Sequence, residues 1–265
     1  MSGTSITLDE AVDLTRTGDL WLFRGRAPAD RAIQMTTNAP VNHVGMAVVI
    51  DDLPPLMWHA ELGRSLRDLW TGGHHRGAQL HDLREAVVLW GNRYGQRAWL
   101  RQLDPPPTRE MENAALKAVA RLDGTPFPST SRLATRWLRG RIPFRRPAGT
   151  DAALETAFCA EIVAVTYQSM GLLPKGRRPN WYDPGRFWSG DDLDLEEGAS
   201  LGGEIAVVVP PAAERTDGTA APDGTEGTGR ARSPRGLRGL RDARVLRNLR
   251  SLRDPRGSRR SAGGG

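Results

Sequence analysis

Short apolar runs rich in β-branched residues, each bounded by turn residues, dominate the first hundred positions of the chain. Residues 41–50 predict a buried strand, and the turn at residues 51–55 predicts that residues 56–60 return as its antiparallel partner. The same pattern predicts further strands at residues 20–23, 78–83, 87–89 and 99–103, and a closing strand at residues 203–209.

Three helices are predicted around these strands. Thr7 followed by Glu10 is typical of a capping box at a helix start. The prolines that begin residues 105–122 predict a second helix there. Apolar residues at three- and four-residue spacing predict a third helix, which begins at Cys159 and ends at Gly171. Because strands and helices mix without regular βαβ alternation, the predicted fold class is α+β with an antiparallel sheet.

Composition divides the chain into a folded part and a tail. Of the 265 residues, 38% are hydrophobic, and the net charge is +6. Residues 231–265 contain eleven Arg and two Asp, a net of +9, so the rest of the chain carries −3. Residues 211–230 have no large apolar side chain and are predicted to be a disordered linker. The folded domain is therefore predicted to span residues 1–210.

The basic tail at residues 231–265 repeats Leu-Arg with a period of three. Steps of three residues fall about 60° short of a full helical turn, so the leucines would spread around a helix instead of forming one stripe. We therefore expect a disordered tail, with an anionic membrane surface as its candidate partner. Binding to nucleic acid would rest on charge alone, since the tail has no base-reading motif.

Several classes of protein are disfavoured. No apolar run approaches the ~20 residues that span a bilayer, and the first residues lack a basic and apolar signal segment, so we expect a cytoplasmic protein, at most peripheral to a membrane. The single cysteine excludes an internal disulfide framework and a multi-cysteine zinc site. His74 and His75 lie in a glycine-rich loop without ligand spacing, so we expect no metal and no cofactor.

Cysteine and histidine supply the candidate chemistry. A cysteine is a strong nucleophile when its pKa is lowered by a helix N-terminus or a neighbouring imidazole, and Cys159 is predicted at a helix start. The backbone amides there could also stabilise an oxyanion. All five histidines lie between residues 42 and 82. By position alone, Cys159 is equally compatible with a small buried core residue.

Two histidines lie on the strands of the predicted hairpin. A turn centred on residue 51 places His43 opposite His59, whereas one centred on residue 53 places it opposite Gly63. Both registers put His43, His59 and Glu61 on one face of the sheet. A base with a polar group that orients it is what a nucleophile–base–orienter triad requires. The residues leave open whether His59 or Glu61 is the orienting group.

These elements resemble a known family. Gly-Asp-Leu from residue 18, Asn-His-Val-Gly from residue 42, Trp-His-Ala from residue 58 and Phe-Cys-Ala-Glu from residue 158 are similar to motifs of the permuted NlpC-type papain-like cysteine hydrolases, the YiiX/YaeF-like group. In that group the histidine strand precedes the cysteine helix, as it does here. The resemblance covers roughly residues 15–210 and implies a circularly permuted papain-like domain with a cysteine-bearing helix.

The resemblance implies catalytic roles for three residues. Cys159 would be the nucleophile, His43 the general base and His59 the polar third residue, a position often held by Glu in relatives. The implied function is a cysteine-dependent hydrolase that cleaves the amide bond of a small peptide or acyl conjugate through a thioester. The alternatives are a lipid acyltransferase or thioesterase with the same Cys–His pair, and a non-catalytic scaffold whose tail binds membrane or nucleic acid.

Further residues are candidates for lining the cleft. Asp19 matches the Gly-Asp-Leu element, whose implied role is mainly structural. Glu161 follows the nucleophile by two residues, where a helix dipole would favour a carboxylate. Glu61 is placed on the face of His43. Trp181 and Tyr182 belong to an aromatic cluster after the cysteine helix, predicted mainly to pack and secondarily to border an apolar cleft.

Overall fold

A seven-stranded sheet organises the computed structural model, which describes residues 5–25, 40–51, 53–122, 151–191 and 193–211. The strands are β1 (Ser5–Thr7), β2 (Leu20–Arg24), β3 (His43–Val48), β4 (Leu56–Glu61), β5 (Gly77–Asp82), β6 (Arg97–Arg101), β7 (Leu103–Asp104), β8 (Ser200–Leu201) and β9 (Ile205–Val208). The helices are α1 (Leu8–Leu14), α2 (Leu83–Tyr94), α3 (Arg109–Leu122) and α4 (Asp151–Met170), followed by short 3₁₀ turns at Pro179–Trp181, Pro184–Phe187 and Ser189–Asp191.

The strand order is β1-β9-β6-β2-β3-β4-β5, while β7 and β8 form a separate two-stranded sheet. Only the β1–β9 pair is parallel among the described strands, and the others are antiparallel. The predicted α+β class with a mostly antiparallel sheet is therefore confirmed. No helix in the described ranges is long and apolar enough to cross a membrane.

Side-chain alternation divides the central strands between two apolar layers. Even-numbered residues of β3 and β4, such as Val44, Met46 and Trp58, join one buried cluster with α3 and α4. Odd-numbered residues, such as Ala47 and Met57, join a second cluster with α1 and α2. The sheet is thus covered by helices on both faces, and each residue's parity decides which helices it meets.

Asp19 connects the start of β2 to its neighbours. Its carboxylate, fully buried, accepts hydrogen bonds from the backbone N–H groups of Arg16 (2.8 Å) and Leu103 (2.9 Å). The hydroxyl of Tyr167 in α4 donates to the carbonyl of Gly18 at 2.6 Å. The Gly-Asp-Leu element therefore joins β2, β7 and α4.

Three predictions need correction. Residues 87–89 lie inside α2, which Asp82 caps at its start and Gly95 ends in a left-handed conformation, so they form no strand. The β3–β4 hairpin pairs Met46 with Trp58, a register centred between the two that the turn allowed. His43 therefore pairs in register with neither His59 nor Gly63, although the predicted shared face is unchanged.

The third correction concerns the cysteine helix. It begins at Asp151, so Cys159 is its ninth residue and not its first. The influence of a helix dipole falls off within the first turn, so Cys159 lies beyond the reach of the α4 N-terminus. The predicted linker at residues 211–230, apart from residue 211, and the predicted tail at residues 231–265 lie outside the described residues.

Replacing Asp19 with Ala should destabilise the fold by about 3 kcal/mol, because two buried N–H groups lose their acceptor. Urea unfolding followed by circular dichroism measures the loss. Asp9→Ala is the matched control, since the Asp9 carboxylate is 74% exposed in its ion pair with Arg84 and such pairs contribute about 1 kcal/mol at most. Equal effects of the two substitutions would contradict the assigned role of Asp19.

Candidate functional site

Three buried histidines from adjacent strands form a hydrogen-bonded row, which we call the histidine chain: His43, His59 and His81. Nε2 of His43 lies 3.1 Å from Nδ1 of His59, and Nε2 of His59 lies 2.9 Å from Nδ1 of His81. The row ends at Gln79, whose Oε1 lies 3.2 Å from Nε2 of His81. All four residues have odd numbers on β3, β4 and β5, so alternation places them on the α2 face.

Aromatic side chains enclose the histidine chain. The Trp90 ring of α2 makes edge contacts with His43 and His59, at centroid distances of 5.3 and 4.9 Å. Phe23 of β2 pairs with His43 in register and contacts its ring at 5.9 Å. His43 keeps 7% of its surface exposed, while His59 and His81 keep none. The first imidazole of the chain is thus the one nearest to solvent.

Burial holds these imidazoles in their neutral form. Desolvation lowers the pKa of His43 to about 3, and the neighbouring His81 acts in the same direction. Desolvation lowers the pKa of His81 to about 4, although the Asp68 carboxylate opposes this. Desolvation also takes the pKa of His59 well below its ordinary value. At neutral pH each ring therefore has one N–H donor and one lone pair.

Among the described residues, no hydrogen bond joins Glu61, the second candidate orienter, to the ring of His43. Its carboxylate accepts hydrogen bonds from the side chain and backbone of Ser65, and burial raises its pKa. His59 is the group within hydrogen-bond distance of the His43 ring. Of the two alternatives left open by the sequence, the structure therefore favours His59.

His59, Glu61 and His81 have donor atoms within 4.8 Å of one another, a spacing at which three such groups could hold a metal ion. Each ring nitrogen of His59 and His81, however, already has a hydrogen-bond partner within the row. The Glu61 carboxylate is likewise bonded to Ser65. The two imidazoles are therefore bonded to each other, while the carboxylate is bonded to Ser65.

Cys159 lies in the other layer. It is fully buried and belongs to the cluster formed by α3, α4 and the even-numbered strand residues, including Val44 and Trp58. Helix α4 is attached to this face by the hydrogen bond from Trp58 Nε1 to Thr166 Oγ1, at 3.1 Å. The structure thus brings His43 and His59 together but places the sheet between their rings and the cysteine.

The remaining predicted site residues lie apart from the histidine chain. Glu161 is buried in α4 at 8% exposure, in the interior of the helix and not at its start. Trp181 lies between the guanidinium groups of Arg177 and Arg186, each 4.2 Å from its ring centroid. Tyr182 is buried, with its ring contacting Trp181 and Phe187.

The sequence analysis missed His81 and Gln79 as members of the site. The sequence feature that could have identified them is the strand predicted at residues 78–83, in which positions 79 and 81 share one face. The pairings of His59 with Gln79 and of Met57 with His81 bring that face beside His59. The other two histidines fit their predicted loop: His74 is exposed, and Nε2 of His75 lies 3.4 Å from the Asp68 carboxylate.

Comparisons with known proteins find similarity only at the level of structure. No family model and no curated protein matches the chain. A solved structure described as metalloprotein yiiX from Escherichia coli O157:H7 is similar, with 18% identity, a TM-score of 0.39, and coverage of 62% of this chain and 68% of that one. The likeness is weak.

Stability should fall as the pH is lowered from 7 to 5. Unfolded histidines bind protons near pH 6.5, whereas His43 and His81 resist protonation until about pH 3 and 4. Each such histidine contributes a loss of up to about 1.4 kcal/mol per pH unit, which ends once the folded state also binds the proton. Urea unfolding at a series of pH values measures this dependence.

The substitution His81→Gln isolates one member of the chain. Between pH 6 and 5, the number of protons taken up on unfolding should fall by about one, because one fewer imidazole is protonated on unfolding. The pH dependence of stability becomes shallower accordingly. His74→Gln, at an exposed position, is the control and should keep the wild-type dependence. An unchanged dependence in His81→Gln would show that this histidine is protonated in the folded protein.

Proposed function

We propose that this chain is a cysteine-dependent hydrolase with a circularly permuted, papain-like fold, and that it cleaves an amide or related acyl bond. Cys159 is the nucleophile, His43 is the general base and His59 orients the base. The observation that carries the proposal is the 3.1 Å hydrogen bond between Nε2 of His43 and Nδ1 of His59. A base held by a polar neighbour through one ring nitrogen has the other nitrogen available for proton transfer.

The chemistry follows two acyl-transfer steps. His43 accepts the proton of the Cys159 thiol as the sulfur attacks the substrate carbonyl, and the tetrahedral intermediate collapses to a thioester as His43 returns the proton to the leaving amine. Water then attacks the thioester with His43 as base. The acid product leaves, and the thiol recovers its proton.

The lowered pKa of His43 favours one form of this mechanism. Burial opposes an imidazolium, so His43 rests as a neutral imidazole and not as the cation of an ion pair. Proton transfer then accompanies the attack of sulfur. His43 acts in this mechanism as a general base at the moment of reaction.

The mechanism requires Cys159 to reach His43 around the end of a strand. His43 is the first residue of β3, and the pairing of β3 with β4 covers only Met46–Val48 of that strand. His43 therefore lies beyond the β3–β4 ladder, although it still pairs with Phe23 of β2. A thiol from the α4 layer can meet the base only there.

A non-catalytic scaffold is the second candidate, and the burial of Cys159 in an apolar cluster favours it. A buried cysteine in apolar surroundings is commonly an inert core residue. In this alternative the histidine chain stabilises the hairpin and performs no chemistry. The two candidates differ in one measurable property, the reactivity of the folded thiol.

Alkylation by iodoacetamide tests the proposal, because Cys159 is the only cysteine and all labelling reports on it. Folded wild-type protein at pH 7 should be labelled much faster than its unfolding rate allows. His43→Ala should slow labelling at least about tenfold, because the base that removes the thiol proton is lost. His74→Ala, at an exposed position, should label like wild type.

The contrary result is equally clear. If wild-type protein and His43→Ala are both labelled only as fast as they unfold, the hydrolase is excluded and the scaffold remains. Labelling in 8 M urea, which should be equal for all variants, controls for the reagent. Circular dichroism of each variant confirms that the comparison is made on folded protein.

A further inference from the structure

We infer that Gln79 and His81 are positioning residues that set the direction of every hydrogen bond in the histidine chain and so determine which nitrogen of His43 carries the lone pair. The direction follows from contacts on β4 and β5 and is independent of Cys159. Its consequence for catalysis rests on the proposed function. Both residues lie beyond the base and its orienting partner.

The orientation of the Gln79 amide is fixed by its surroundings. Its Nε2 lies 2.6 Å from the carbonyl oxygen of His75, 3.3 Å from that of Glu61 and 3.4 Å from that of Gly77. Carbonyl oxygens only accept hydrogen bonds, so the amino group must face them. Turning the amide over would place its oxygen against three other oxygens. Oε1 of Gln79 therefore faces His81.

An amide oxygen can only accept, so His81 must donate to it. Nε2 of His81 carries the hydrogen in the 3.2 Å contact with Gln79, which leaves Nδ1 of the same neutral ring as an acceptor. Nε2–H of His59 then donates to this Nδ1, at 2.9 Å. The hydrogen bond from His81 to Gln79 therefore determines the tautomer of the His59 ring as well.

The hydrogen bond between His59 and His43 then determines the tautomer of His43, the proposed base. With its Nε2 as the donor, His59 presents Nδ1 as an acceptor, so Nε2–H of His43 donates to it at 3.1 Å. His43 is consequently neutral with its hydrogen on Nε2 and its lone pair on Nδ1. The opposite tautomer would have a hydrogen on Nδ1 and could not accept a proton from the thiol there. Gln79 thus selects the competent form of a base three residues along the row.

Imidazole nitrogen NMR tests the inference directly. Long-range ¹H–¹⁵N correlation spectra distinguish the two neutral tautomers, and single histidine substitutions assign the rings. In folded wild-type protein at pH 7, His43, His59 and His81 should all be Nε2–H tautomers. Finding Nδ1–H on any of the three would overturn the inference, and this result needs no variant to fold.

Two glutamine variants supply the matched comparison. Gln79→Met removes the acceptor for His81 and should shift His81, and through it His43, to a mixture of tautomers. Gln168→Met removes a comparable amide, whose Nε2 donates to the carbonyls of Pro174 and Arg177 but contacts no histidine. It should leave all three spectra unchanged. Unchanged tautomers in a folded Gln79→Met variant would overturn the inference.

Two further measurements distinguish this inference from a metal site and from the proposed hydrolase. Spectra that change on adding EDTA would overturn it, because the ring nitrogens would then be metal ligands. Iodoacetamide labelling of Gln79→Met should be about fivefold or more slower than that of Gln168→Met if the lone pair of His43 serves the thiol. If labelling is unaffected while the tautomers shift as expected, the positioning role stands and the proposed hydrolase fails.

Discussion

The requirement that a buried polar group have a hydrogen-bond partner governs the centre of this molecule. Four strands of the sheet, β2, β3, β4 and β6, carry apolar side chains to both faces, yet three imidazoles are inserted into the layer beneath α2. Left unpaired, each would cost on the order of 1–3 kcal/mol. They satisfy one another in a row that ends at an amide whose other end is held by backbone carbonyls. Strand register and side-chain tautomer are therefore linked.

The sheet itself limits what this polar row can do. Because side chains alternate, the residues that place histidines under α2 also place Val44, Met46 and Trp58 against α4, the helix that carries the cysteine. Across most of β3, the α2 layer and the α4 layer are built on the same strand backbone, but their side chains lie on opposite faces of the sheet. Any cooperation between thiol and imidazole must occur at the first residue of that strand. The proposed reaction is therefore confined to one end of the sheet.

Local pattern predicted most of the fold. The β3–β4 hairpin and the common face of residues 43, 59 and 61 follow from period-two alternation, which the two-residue register error leaves unchanged. The α+β class follows from the mixed order of strands and helices. The register itself was wrong because the turn at residues 51–55 allowed several centres. Residues 87–89 were mistaken for a strand because a short apolar run fits both elements, although Asp82 and Gly95 marked the helix ends.

The candidate site was predictable only in part, because its last members depend on pairing between β4 and β5. No motif marks Gln79 or His81, and their importance appears only when Gln79 lies beside His59. The start of the cysteine helix was misplaced for a different reason. Residues 151–155 include strong helix formers but no periodic apolar stripe, so the helix was predicted to begin at the cysteine and to offer its dipole to the thiol.

The amide at the end of the row also determines what happens to a proton that enters it. A chain of imidazoles can conduct protons when its far end can release one to an acceptor. Here the far acceptor is the oxygen of Gln79, which is held in place and is far too weakly basic to take the proton. A proton that reaches His43 can therefore only leave by the way it came. The row is closed to conduction, which is the property required of a group that borrows a proton and returns it.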